Sequence, residues 1–119
     1  MAYVDGYVLP VPKKNLAAYM KMAKAASKIF KKHGALEIKE CAGDDLAVSW
    51  GCVPFPKQMK LKAGETVVFS YVVFKNKAHR DKVNKAIAAD PAMKQIMPKT
   101  SPFDWKRMVY GGFKTVVDA

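Results

Sequence analysis

Asp5 stands between Tyr3 and Tyr7 in a run, Ala2 to Val11, that otherwise reads as an apolar strand ended by Pro10 and Pro12. A carboxylate among phenols can abstract or donate a proton, which makes Asp5 the best candidate for a catalytic group. Tyr3, Tyr7, Tyr71 and Tyr110 carry hydroxyls able to orient a polar ligand, and Phe69 adds an apolar surface beside Tyr71. Arg107 has the planar fork that grips an acidic ligand bidentately. Asp5, Tyr7, Phe69, Tyr71, Arg107 and Tyr110 are therefore the residues from which a ligand site would be built. Each also has a plain structural reading. Asp5 can be held in an ion pair with Arg107 or Lys39, Arg107 can be structural, and tyrosines at an interface need no further role.

Other chemistries find no support. His33 falls at a helix end and His79 in a first helical turn, and neither has a Ser or Cys partner at triad spacing. Neither matches a haem-ligand pattern. Cys41 and Cys52 are the only cysteines. No His or Cys stands at ligand spacing from either, so no metal site is expected, and free thiols are expected over a disulfide. Gly111-Gly112 lacks the following helix and the lysine-serine pair of a phosphate loop. No cofactor is implied. The N-terminus runs straight into a strand with no leader pattern, and no run approaches the ~18 apolar residues of a membrane span. A cytoplasmic protein is expected.

The 119 residues suit one domain spanning 1–119, with half of them hydrophobic. Thr66 to Phe74 is the clearest strand, apolar on both faces, and such a strand needs cover on both sides. A helix follows Asn15, read as its N-cap, with Leu16, Tyr19, Met20, Ala23, Ala26 and Phe30 at helical spacing and Gly34 just past its end. Ala35 to Ala42 alternates as a half-exposed strand. Asn76 caps a second helix with Val83, Ala86 and Ile87 inward. Asp90-Pro91 starts a short third helix. Arg107 to Val117 reads as the last strand, with a bulge or bend at Gly111-Gly112. Residues 43–65 are irregular, with a short element at Ala47–Trp50 or Lys57–Leu61. The order strand, helix, strand, strand, helix, strand is that of a ferredoxin-like α+β fold, a four-stranded antiparallel sheet with both long helices on one face.

One face of that sheet stays uncovered. Val68, Ser70, Val72 and Phe74 suit the helix side, as do Val4 and Val8. Tyr3, Asp5, Tyr7, Phe69 and Tyr71 are then left on the open side. Three fates suit an aromatic face of this kind. Two copies can pack sheet to sheet as a homodimer enclosing a cavity for a small organic molecule, or as a non-catalytic structural or regulatory dimer. The face can stack on single-stranded RNA, although Val67 and Val68 stand where that motif wants a basic residue and a glycine. Residues 43–65 can also fold over it. The net charge of +11 (21 basic against 10 acidic residues) favours anionic partners. Its lysines, however, fall on the helices (Lys21, Lys24, Lys28, Lys31 and Lys32; Lys77, Lys82 and Lys85, with Arg80), opposite the aromatic face. That argues against nucleic acid.

Several segments together carry a family likeness. They are Tyr3-Val4-Asp5-Gly6-Tyr7-Val8 leading to Val11-Pro12, Gly34-Ala35-Leu36, Glu40-Cys41, Gly43-Asp44-Asp45, Gly64 to Ser70, Asp90-Pro91, Phe103-Asp104, and Lys106-Arg107-Met108 followed by Tyr110-Gly111-Gly112-Phe113. On these the chain resembles the YbaA-like bacterial proteins of unknown function, nearly end to end. Departures concentrate in Ala47 to Lys62. The resemblance implies the dimeric α+β barrel superfamily, which includes small monooxygenases, isomerases and haem-degrading enzymes. It therefore implies a fold and a homodimer but no reaction.

Overall fold

Alternation along the third strand divides the molecule into two sides. The structure is a computed structural model that describes residues 1–47 and 50–119. Its strands are β1 (Tyr3–Pro12), β2 (Glu37–Ala42), β3 (Glu65–Phe74) and β4 (Val109–Lys114). Its helices are α1 (Leu16–Lys32), α2 (Phe55–Gln58), α3 (Lys77–Ala88) and α4 (Pro91–Ile96), with short 3-10 turns at Lys13–Asn15 and Trp105–Arg107. The strands form one antiparallel sheet in the order β2-β3-β1-β4. This is the ferredoxin-like α+β topology the sequence predicts.

Val68, Val72 and Phe74 of β3 are fully buried beneath the helices, against Ile29 of α1 and Val83 and Ile87 of α3 at one end and Tyr19 of α1 at the other. Because side chains alternate along a strand, Val67, Phe69, Tyr71 and Val73 point the other way. On β1 the buried parity is that of Leu9 and Val11. Asp5 and Tyr7 share it, and register confirms the side: Tyr3 lies opposite Phe74, Asp5 opposite Val72 and Tyr7 opposite Ser70.

Three expectations are corrected here. The sheet is not a barrel: β2 and β4 are edge strands, each with a single neighbour. Four strands are half the roughly eight that close around a filled interior. Tyr3, Asp5 and Tyr7 lie on the helix side, not the open side. Finally, β4 ends at Lys114 and begins after Arg107, and it pairs with β1 in continuous register through Gly111 and Gly112, without a bulge. The two glycines answer to packing instead. A Cβ on Gly112 would lie 2.5 Å from the Tyr3 hydroxyl, so its absence makes room for that ring. Gly6 and Gly111 face each other on the open side, where the Phe113 ring lies over both.

Helix ends follow the sequence signals with one exception. Asn76 Oδ1 accepts from the His79 amide at 2.8 Å, and Asp90 Oδ1 accepts from the Ala92 amide at 2.9 Å, as N-caps do. Gly34, at φ +114°, turns the chain out of α1 in a conformation that favours glycine. Asn15 does not cap α1 with its side chain; it donates to the Pro102 carbonyl at 3.2 Å and ties the segment before β4 to the start of α1. The short element expected at Ala47–Trp50 includes residues 48 and 49, which lie outside the described residues. The one expected over Lys57–Leu61 appears earlier, as α2, because Pro54 and Pro56 suit a helix start. Among the described residues no helix is long and apolar enough to cross a membrane.

Candidate functional site

Ile38 faces the core from β2. Two residues on, Glu40 has the same parity and so enters the apolar side of the sheet. It lies opposite Ser70 of β3, and its two oxygens are held by two neutral donors. The Tyr19 hydroxyl, from α1, donates to Oε1 at 2.6 Å, and Ser70 Oγ donates to Oε2 in a short contact. Burial, and then the hydrogen bond to Glu40 and its charge, push the Tyr19 phenol well above the usual tyrosine range, so it keeps its proton and remains a donor.

This carboxylate borders a cavity of about 290 Å³ between the sheet, α1, α4 and the segment before β4. The sheet supplies Tyr7, Leu9, Ile38, Glu40, Ser70 and Val72 as its floor. Met22, Ala23, Ala26 and Phe30 of α1 form one wall, and Met93, Met97, Phe103, Trp105 and Met108 the other. Met97 and Trp105 are the wall residues most open to solvent, at 41% and 50% exposure, and mark the mouth. The volume is near the lower end of the range for small-molecule sites, roughly 300–1,000 Å³.

Two anchors outside the cavity hold the wall of α4 and the segment before β4 in place. Asp90 pairs with His33 Nε2 at 2.7 Å and Lys32 Nζ at 3.3 Å, joining the end of α1 to the start of α4. The His33 hydrogen bond and the Ala92 amide hold the Asp90 carboxyl down at about 2. Arg107 grips Glu65 with both arms, Nη1 to Oε2 at 2.6 Å and Nη2 to Oε1 at 2.9 Å, and Nη2 also reaches the Lys60 carbonyl at 3.1 Å. The fork thereby ties the turn that carries Trp105 to the start of β3. Phe103, buried against Tyr19 at 5.7 Å between ring centres and against Trp105 at 4.7 Å, completes the wall.

Asp5 is fully buried beside this site, and its partner is neither Arg107 nor Lys39. Arg80 of α3 turns inward instead, with Nη1 2.8 Å from Asp5 Oδ1 and 3.0 Å from the Tyr110 hydroxyl, its guanidinium stacked 4.9 Å from the centre of the Tyr3 ring. Among the described residues Asp5 Oδ2 is the one buried side-chain oxygen without a hydrogen-bond partner. Tyr7 stands between the two acidic groups and packs on Tyr110 at 4.9 Å. Burial first, then the Asp5 charge, the neighbouring Tyr110 and the Glu40 charge, push its phenol well above the usual range.

The residues expected to share one cavity are thus split. Asp5, Tyr7 and Tyr110 are together on the helix side, but of the six only Tyr7 lines the pocket. Phe69 and Tyr71 are on the open side, with the Tyr71 hydroxyl donating to Glu37 at 2.8 Å. Arg107 is committed to Glu65. Glu40, Tyr19 and Ser70 are not among the residues expected from the sequence at a site. Their signal was present: continuing the Leu36–Ile38 alternation of β2 by one step puts a carboxylate on the apolar side, opposite the lone serine of β3. Cys41, the next residue, points to the open side with an exposed thiol.

Residues 2–105 match the model of a family described as a protein of unknown function, DUF1428. The chain is also 41% identical over 118 residues to the Escherichia coli (strain K12) protein printed as "Uncharacterized protein YbaA", which covers 99% of both chains. The chain belongs to this family. The YbaA likeness read from the segments above therefore holds, without the barrel. Among solved structures, a dimeric ferredoxin-like protein of unknown function from Jannaschia sp. CCS1 superposes with a TM-score of 0.54 at 12% identity, over 95% of this chain and 99% of its own. A dimeric ferredoxin-like protein from an uncultured marine organism gives 0.54 at 11%, over the full length of both. At such identities these two show the fold alone.

Proposed function

We propose that the protein binds a small organic molecule in the pocket between the sheet and helices α1 and α4, and that two copies associate through the open face of the sheet. The observation that carries the first part is Glu40: a carboxylate fixed from both sides by Tyr19 and Ser70 at the floor of an otherwise apolar cavity. Placing a polar group there costs folding free energy unless it is satisfied. The surplus acceptor positions on Glu40, beyond the two donors it has, suit a ligand group that donates hydrogen bonds.

Trp105 at the mouth is the natural reporter. The chain has two tryptophans, and Trp50→Phe leaves Trp105 alone. Titration of that variant with compact aromatic and aliphatic compounds is expected to give a saturable change in Trp105 fluorescence. Filling the cavity with Ala26→Phe abolishes it. A response that survives the filling, or none from any compound, would overturn the reading.

The second part rests on the open face. Phe69, Val109 and Phe113 are 44%, 57% and 61% exposed there, next to Val8 and Tyr71. The described residues of the 43–65 segment do not shelter them, although Val67 at the far end of the same face is buried and α2 packs beside β3. Apolar surface of this kind favours a twofold partner, in keeping with the dimeric state printed for the two solved structures of the same fold.

A further inference from the structure

We infer that the pocket selects molecules with an ammonium head on a compact apolar body, the head meeting Glu40. This rests on the pocket reading above and adds the chemical class of its ligand.

Glu40 is a carboxylate without a cation. Among the described residues its hydrogen-bond partners are two hydroxyls, and none of the ion pairs there includes it. Among the described residues no Lys, Arg or His lines the cavity. Lys24 lines a neighbouring crevice of about 330 Å³ that shares Ala23, Ser27, Ile38 and Glu40 with the cavity, and it forms no ion pair with Glu40. Asp5 stands in contrast: one strand away from β3, its carboxylate has Arg80 within 2.8 Å. In a chain with 21 basic residues, the acidic group that faces the cavity has no positive partner among the described residues.

The walls suit a cation as well. Trp105, Phe103, Phe30 and Tyr7 present aromatic rings, whose faces attract an ammonium. Met22, Met93, Met97 and Met108 add polarisable sulfur. A carboxylate ligand would meet Glu40 as a like charge. An alcohol can donate one neutral hydrogen bond, whereas an ammonium donates charge-assisted ones, about twice as strong. At about 30 Å³ per water-sized group, the 290 Å³ cavity holds on the order of ten heavy atoms.

The test uses the full chain carrying Trp50→Phe and three probes of similar shape and different head: phenethylamine, phenethyl alcohol and phenylacetate. At about pH 7, where the amine is charged, phenethylamine is expected to bind about tenfold more tightly than phenethyl alcohol, with phenylacetate weakest. Glu40→Gln keeps the side chain's shape and both hydroxyl contacts, because a serine hydroxyl can also accept. It is expected to erase the advantage of the amine, bringing amine and alcohol to within about twofold of each other. Should that variant not fold, the order of the three probes on the original side chain still decides. Equal or tighter binding of the alcohol, or an amine advantage that persists in Glu40→Gln, overturns the ammonium assignment while the pocket stands. No saturable binding of any of the three overturns both.

Discussion

Tyr19→Phe isolates one oxygen. The substitution keeps the ring against Phe103 and removes only the hydroxyl that donates to Glu40 Oε1 at 2.6 Å. A hydrogen bond to a charged group contributes about 1.5–3 kcal/mol. The freed Glu40 oxygen borders a cavity where water can replace the lost donor, so the low end applies, about 1.5 kcal/mol. For a chain of 119 residues, 1 kcal/mol moves Tm by about 3–5 °C, which predicts a fall of roughly 5–7 °C. The assay is thermal and urea unfolding followed by circular dichroism, at one fixed protein concentration because self-association would shift Tm. The mechanism, as distinct from the size, is read from a double-mutant cycle with Glu40→Gln. If the two side chains act on each other, the pair costs less than the sum of the singles by about 1 kcal/mol. An unchanged Tm in Tyr19→Phe, or strictly additive losses, would refute the picture of a carboxylate held in place by its donors.

Three further outcomes are expected. Arg80→Met leaves the fully buried Asp5 carboxylate alone and costs about 3–5 kcal/mol, while the double variant Asp5→Leu/Arg80→Met recovers most of the loss; equal stability of the single and double variants in urea unfolding would contradict this. Arg107, first through its hydrogen bonds, holds the Glu65 carboxyl below its ordinary 4.5. Because the folded value is the lower one, that stabilisation is present above 4.5 and fades as pH falls through the depressed folded value. Arg107→Gln therefore lowers Tm at neutral pH and flattens its acid-side fall, and two parallel Tm–pH curves would refute the linkage. Phe69→Lys puts a charge into the middle of the open face and shifts sedimentation from dimer to monomer without lowering helix content; a dimer that persists would place the interface elsewhere.

The fold was legible because its periods are strong. The both-sided apolar run of β3, the helical spacing from Leu16 to Phe30 and the caps at Asn76 and Asp90 all point the same way. The facing of β1 was not, because both parities of that strand are apolar. Assigning Asp5 outward on polarity alone overlooked Leu9 and Val11, which share its side. It also overlooked Arg80, which reads as one more exposed cation on a helix and is the long-range partner that makes burial of Asp5 tolerable. The candidate site is hidden for a related reason. The sequence sets tyrosines beside a carboxylate at Tyr3, Asp5 and Tyr7, whereas the fold joins Tyr19, Glu40 and Ser70 from three separate elements, with separations only the tertiary structure can close. Phe69 and Tyr71 were placed correctly, since the packed parity of β3 is set by Phe74 and leaves the other side open.

Methyl resonances of the methionines test the central claim most directly. The chain has seven methionines. Met22, Met93, Met97 and Met108 line the pocket, whereas Met1 and Met59 do not. With methionine methyl groups labelled with carbon-13, titration of the wild-type chain with phenethylamine is expected to shift those four signals along one saturation curve and leave Met1 and Met59 in place. Saturable binding that leaves all four unmoved would contradict a binding site beneath α1 and α4.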